Sequence, residues 1–197
     1  MASSIDASTS GAGGVITTAD NTGILQLKSG GTTIATVSST GLALNTGNIT
    51  LPSGAAPAFS AYNSGSNQSI SASTWTKVRL NAEEWDTNNN FDSTTNYRFT
   101  PTVAGYYQLS GGVSTEPSSG TVTRVLCGIY KNGSEYRLCS DIVASQVVGT
   151  AGTASSLVYF NGSTDYVELW IYCAGGTPSI GYGTNRTWFT GFLARSA

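Results

Sequence analysis

In short segments between Ala58 and Ala194 apolar residues recur with a period of two, the spacing at which successive side chains of an extended strand fall on opposite faces. In Tyr166 to Cys173 one row holds Val167, Leu169, Ile171 and Cys173, and the other holds Tyr166, Trp170 and Tyr172. The run Phe91 to Val113 reads as a strand at Tyr97 to Thr100, a corner at Pro101, a turn at Ala104-Gly105 and a second strand from Tyr106 to Val113. Phe99, Tyr107 and Leu109 then share a buried face, with Arg98 and Gln108 directed away from it. Further strands are predicted at Ala58 to Tyr62, through the half-buried segment Trp75 to Trp85, in a hairpin from Thr123 to Ser145, near Ser155 to Phe160 and at Thr187 to Ala194. Eight or more short antiparallel strands with turn residues between them predict an all-β, two-sheet sandwich.

Asn132-Gly133 is the expected tip of the hairpin, since both residues tolerate the positive φ of a two-residue turn. That tip pairs Lys131 with Ser134, Ile129 with Tyr136 and Cys127 with Leu138. Cys127 then shares a face with Val125, Ile129, Tyr136 and Leu138, and Cys139 falls opposite with Tyr130 and Arg137. The two thiols meet only if a bulge intervenes. Cys173 ends an apolar row and reads as a small core residue.

Ahead of the sandwich the pattern changes. Residues 1–22 are Ser, Ala, Thr and Gly with Asp6 and Asp20 as the only charges, too little apolar surface to fold alone, and are expected to form an extended arm. Short runs follow, ILQL, TIATV and LAL with NITL, separated by SGG, SSTG and NTG. The linker from Leu51 to Pro57 marks the boundary, so the chain is read as an arm at 1–22, a short-strand shaft or collar with its linker at 23–56 and a head at 57–197.

The head carries a spaced set of residues: Leu80, five residues, Asp86, four residues, Phe91, seven residues, Phe99, five residues, Gly105, one residue, Tyr107, one residue, Leu109. This order resembles the signature of the globular head of complement C1q, a trimeric jelly roll related to tumour necrosis factor. Leu80 and Leu109 stand where that family usually has Phe, and the Phe91 to Phe99 interval is one residue longer. CGIYKNGSEYRL resembles the family's hairpin and WFTGFLA its closing strand. The stretch DNTGILQLKSGGTTIATVSSTGLAL looks like the repetitive strands of bacteriophage fibre and tail proteins, which commonly form trimeric prisms or collars.

Composition narrows the chemistry. Only 10% of residues are charged, and 9 Lys plus Arg stand against 11 Asp plus Glu, which leaves no basic surface for nucleic acid. The chain has no His, so the commonest general base and metal ligand are both missing. Glu83, Glu84, Asp86 and Asp92 are the remaining acidic candidates, and Asp86 and Asp92 sit where they would cap turns. Calcium at Asp86, Asp92 or Asp141 would need a spaced acidic loop that the sequence does not offer, and no cofactor is expected. The start MASSIDASTS has neither a basic nor an apolar run, so neither secretion nor membrane insertion is expected.

Aromatic residues on outward faces commonly mark a subunit interface. Tyr106, Tyr130, Tyr166, Trp170 and Tyr172 are therefore the expected interface of a homotrimer, as the resemblance implies. Trp85, Asn89, Tyr182, Asn185 and Arg186, in or beside polar loops, are the expected contacts to a host surface glycan or protein. Together these readings predict a non-enzymatic bacteriophage virion protein, assembled in the host cytoplasm. It would be a fibre or tail-associated appendage held to other virion proteins through residues 1–56. A capsid decoration or head fibre uses the same parts. A secreted complement- or tumour necrosis factor-like ligand is the alternative from another class, disfavoured by the lack of a signal peptide, a Gly-X-Y stalk and paired cysteines.

Overall fold

The computed structural model describes residues 24–45, 56–147 and 149–197. The chain divides into two compact units, Met1–Leu51 and Pro52–Ala197. The expected arm at 1–22, the run NITL and the linker up to residue 55 lie outside the described residues. In the first unit β1 (Leu25–Ser29), β2 (Thr32–Ser38) and β3 (Gly41–Leu44) form a three-stranded antiparallel sheet. Leu25 pairs with Val37 and Leu27 with Ala35, while Val37 pairs with Leu42 and Ala35 with Leu44. Directly paired residues share a face, so all six stand on the same side of the sheet.

The second unit, the head, holds β4 (Ala58–Tyr62), β5 (Gln68–Ser69), β6 (Thr76–Lys77), β7 (Ala82–Asp86), β8 (Phe91–Asp92), β9 (Arg98–Phe99) and β10 (Gly105–Ser114). It continues with β11 (Val122–Lys131), β12 (Ser134–Val147), β13 (Ala151–Phe160), β14 (Val167–Ala174), β15 (Ser179–Ile180) and β16 (Thr187–Ser196). One sheet has the order β13-β10-β16-β4-β7 and the other β12-β11-β14-β9-β8, with β6 also paired to β14. All pairings within them are antiparallel. The predicted all-β sandwich is present.

The core lies between the sheets and is aromatic at one end. Phe59 on β4 stacks on Phe99 of β9 at 4.3 Å between ring centres and on Phe91 at 5.1 Å, and meets Phe189 edge-on at 5.3 Å. Tyr107 and Phe160 extend the cluster from Phe99. Each such ring, buried out of water, stabilises the fold by about 2–3 kcal/mol. The aliphatic half comes from the alternation read in the sequence: Leu109, Val125, Ile129, Val167, Leu169 and Ile171 are fully buried. Tyr107 reaches past the rings, and its hydroxyl donates to the Val103 carbonyl at 2.8 Å, pinning the start of β10 to the preceding turn. Burial pushes its phenol up to about 12.

The acidic residues build loops. Asp86 accepts from the backbone N–H of Asn88 (3.1 Å) and of Phe91 (2.6 Å), which sets Phe91 into the core. Asp92 accepts from the N–H groups of Thr94, Thr95 and Asn96. The N–H of Thr95 foremost holds its carboxyl far below the usual carboxylate range.

Two local expectations are corrected. Trp75 to Trp85 is not one strand: β6 belongs to one sheet and β7 to the other, and the chain crosses between them through Val78 and Leu80, both fully buried. Gln68 holds the crossing, accepting from the Arg79 N–H at 2.7 Å and donating to the Lys77 carbonyl at 2.9 Å. The hairpin turns at Asn132-Gly133, with φ of +52° and +78°, and pairs Lys131 with Ser134 as predicted. Its register then slips at two bulges, so Ile129 pairs with Arg137, and Cys127 with Ser140 in place of Leu138. The extra residues are Tyr136 and Cys139, and both pack against the core. A bulge re-aims the side chain it adds, so Cys139 turns inward and Leu138 is left exposed. All three cysteines are free thiols, and burial pushes Cys127 up to about 12.

Gly191 of β16 sits where a Cβ would come within 2.5 Å of Leu109 Cδ2 and 2.8 Å of Phe59 Cε1. Gly191→Ala is expected to destabilise the head by about 1–3 kcal/mol, read as a lowered denaturant midpoint. The raised phenol of Tyr107 fixes the sign of an alkaline effect. The folded state holds that proton more tightly than the unfolded chain, so this stabilisation is complete below pH about 10 and is lost as pH rises towards about 12. Tyr107→Phe is expected to lose about 1 kcal/mol at neutral pH with its hydrogen bond. It should also flatten the fall in stability above pH about 10, leaving the parts due to the other groups that burial pushes up, Cys127, Cys173 and Tyr130; denaturant midpoints taken across that range are the check.

Candidate functional site

The head has two outer sheet faces and two ends, and the predicted site residues are distributed over all four. On the outer face of the β11–β14 sheet, Tyr130 stacks on Trp170 with ring centres 4.5 Å apart. Trp75 lies against Tyr130 at 5.6 Å and Tyr172 at 5.9 Å. The Trp170 indole N–H donates to Glu168 Oε2, and Lys77 Nζ is ion-paired to Glu168 Oε1, each at 2.9 Å. That carboxylate is nearly buried with both oxygens engaged. Tyr166 lies under the guanidinium of Arg98 at 4.2 Å. Tyr130, Tyr166, Trp170 and Tyr172 are thus half-buried by their own neighbours, and these rings cover the sheet.

Tyr106 belongs to the other sheet and faces away from the first group across a sandwich whose sheets stand about 10 Å apart. It pairs with Tyr159 of β13, their rings 5.4 Å apart. Gln108, next on the same face, pairs with Leu157 on one side and Phe192 of β16 on the other. Tyr106, Leu157, Tyr159 and Phe192 are 42–53% exposed, a contiguous apolar patch. Tyr106, Leu157, Ala194 and Arg195 line a shallow depression of about 310 Å³ within it. The last three patch residues were not singled out from the sequence. The available signal was that LVYF and WFTGFLA are apolar in both alternating rows, more than one core face needs.

The polar candidates lie towards opposite ends. β10, ten residues long, spans about 30 Å. Its Gly105 end is where the chain enters the head: Leu193 N–H donates to the Pro57 carbonyl, Ala58 pairs with Phe192, and Ala197 N–H donates to the Ala104 carbonyl. Asn89, in the turn after β7 with φ +53°, lies towards this end, and Trp85 is within β7. Asn89 helps line a polar depression of about 490 Å³ with Asn90, Asp92 and Arg98.

Tyr182, Asn185 and Arg186 lie at the remote end, beyond Tyr62 and Ser114. Gly183 N–H donates to the Asn63 carbonyl at 2.8 Å, and Tyr182 N–H to Asn67 Oδ1 at 3.3 Å. The Arg186 guanidinium is ion-paired with Glu116, whose other carboxylate oxygen accepts from Asn67 Nδ2. Thr115, Glu116, Pro117, Thr150 and Arg186 are among the residues around an open depression of about 570 Å³. Tyr182 is half exposed beside it.

Of the acidic residues considered for catalysis, Glu84 is engaged by the Ser60 hydroxyl at 2.7 Å and Asp86 and Asp92 by loop backbone, while Glu83 lines the same polar depression as Asn89. Among the described residues no group of three or more acidic or cysteine side chains is placed to hold a metal ion, and no helix is long and apolar enough to cross a membrane.

No protein-family model and no curated protein sequence matches the chain. A solved structure does share its fold. The structure of Eiger TNF from S. frugiperda is similar with a TM-score of 0.54 at 8% identity, covering 72% of this chain and 93% of that one. Murine APRIL crystallised at pH 8.5 gives 0.49 at 10% identity, covering 70% and 98%. The PRD1 vertex protein P5 gives 0.49 at 18% identity, covering 71% and 97%. At such identities the likeness is one of architecture, from which function does not follow. The head is an antiparallel two-sheet jelly roll of the tumour necrosis factor type.

Proposed function

We propose that the chain is a non-enzymatic structural protein of a bacteriophage virion. In this reading it is a homotrimer held to the particle by its N-terminal region, and it meets the host surface with the remote end of its head. The observation that carries self-association is the asymmetry between the two outer faces. The β11–β14 sheet covers its own aromatics, while Tyr106, Leu157, Tyr159 and Phe192 stand uncovered on the β13–β10–β16 sheet. An apolar face of this kind favours burial against an identical copy, and the interface is centred on these four residues. Tyr130, Tyr166, Trp170 and Tyr172 are left out of it.

The same geometry divides the host-contact residues. Because the chain enters at the Gly105 end, the loops carrying Tyr182, Asn185 and Arg186 are those farthest from the tether, and we assign recognition to them. Asn89 lies towards the tether and Trp85 midway along the head, paired with Ser60, and neither takes part. Three copies of one weak loop site on a rigid head raise avidity without any new contact. The virion setting is supported by the fibre-like strand pattern from Asp20 to Leu44. A capsid decoration would use the same parts. The fold shared with Eiger TNF favours one second reading, a signalling ligand, and saturable binding to animal cells with none to bacteria would select it.

Two results are expected. Leu157→Asp with Phe192→Asp should raise the concentration at which the full chain dissociates by about a hundredfold. Tyr172→Ser should leave it unchanged, with native mass against dilution as the measurement. Labelled full chain should bind bacterial cells saturably, Arg186→Ala with Tyr182→Ala should weaken that binding by about tenfold or more, and Trp85→Ala should not. A monomeric wild-type chain would overturn the reading.

A further inference from the structure

The edge of the head opposite β13 holds polar side chains that the fold leaves unused. β7 ends one sheet and β8 ends the other, and the polar depression of about 490 Å³ is lined from both. Glu83 pairs with the fully buried Ala61, so its side chain stands on the core side of β7, where it is half-buried. Ser93, Arg98 and Thr100 are half-buried around the same depression, and Asn89 is exposed at its rim. None of these five side chains has a hydrogen bond or ion pair among the described residues. A carboxylate and a guanidinium that share a depression without pairing have given up water and gained no partner in return.

Their neighbours hold them in place. Asn90, buried between them, accepts from the Thr102 N–H and hydroxyl at 3.3 Å and donates to the Asn88 carbonyl at 3.2 Å. Asp92 accepts five hydrogen bonds from residues 94–96. Arg98 is fixed over the Tyr166 ring, and Tyr97 just before it holds φ at +51°, a conformation that an aromatic residue seldom adopts and that is kept where a site requires it. The depression is therefore built in advance, and its volume falls within the range of about 300–1,000 Å³ common to small-ligand sites. The free groups decide the ligand. Glu83 only accepts, Arg98 only donates, and Asn89, Ser93 and Thr100 do both. An anion would meet Glu83 and Asp92, and a cation would meet Arg98. An amino-acid zwitterion would use the two charges and leave the hydroxyls and the amide to water. A ring bearing several hydroxyls, each both donor and acceptor, can engage all five.

We propose that this depression binds a neutral saccharide. Glu83 accepts from one ring hydroxyl, Arg98 donates to another, and Asn89, Ser93 and Thr100 complete the contacts. The site is separate from the loops at the remote end and does not depend on the role assigned to them.

The test is a titration of the isotope-labelled full chain with the methyl glycosides of glucose, galactose, mannose, rhamnose and N-acetylglucosamine, followed through backbone amide resonances. At least one glycoside is expected to shift the amides of 89–102 saturably. Glu83→Gln and Thr100→Val should each raise the half-saturating concentration by about tenfold. Asn89→Gly, which keeps the turn and removes only the side chain, should raise it in the same direction, and Tyr172→Ser should leave it unchanged. Shifts confined to other residues, an unchanged half-saturation in Glu83→Gln and Asn89→Gly, or no shift with any glycoside overturns the site. Tighter binding of dialanine or of inorganic phosphate at 89–102 overturns the saccharide.

Discussion

The stacking of Phe59 on Phe99 joins the two sheets of the head, and much of the molecule is arranged to permit it. Phe59 lies on a strand of one sheet and Phe99 on a two-residue strand of the other, so the contact also fixes where a very short element sits. Gly191 leaves the space into which the Phe59 ring and Leu109 project. Asp86 binds the backbone at Phe91 so that a third ring completes the stack. Tyr107 closes it from the side of Phe99 and is itself pinned to Val103. The spaced residues Asp86, Phe91, Phe99, Tyr107 and Leu109 are thus one neighbourhood in space, which is why their order and intervals identified the fold.

That neighbourhood was legible because each member is constrained by its own strand or turn. Period-two alternation placed Val167, Leu169, Ile171 and Cys173 inside, and all four are buried. Alternation is silent about two other matters. It does not reveal a bulge, since an added residue such as Tyr136 or Cys139 reverses the count beyond it without changing the local pattern. Nor does it tell which sheet a strand belongs to. Tyr106 and Tyr130 are both outward by count, yet they point away from each other on opposite sides of the sandwich. A segment that crosses between sheets, as Val78 to Asn81 does between β6 and β7, looks like part of one continuous strand in the sequence for the same reason.

The two outer faces show how similar residues acquire different roles. On one side four rings and the Lys77–Glu168 pair satisfy one another, and the apolar side chains left exposed on that sheet, Leu138 and Val143, stand apart on β12 at its edge. On the other, Tyr106 and Tyr159 meet but Leu157 and Phe192 have only the edges of their neighbours. An aromatic residue on a strand is informative about association only once its lateral neighbours are known, and those come from register.

The chain enters the head beside Pro57 and β16 finishes at the same end, tied there by Leu193 and Ala197. A cut ahead of Pro57 therefore interrupts no strand of the head and none of its core. The loops around Arg186, at the other end of β10, can vary without disturbing the place where the chain joins the head, so the two ends of the jelly roll are free to change independently.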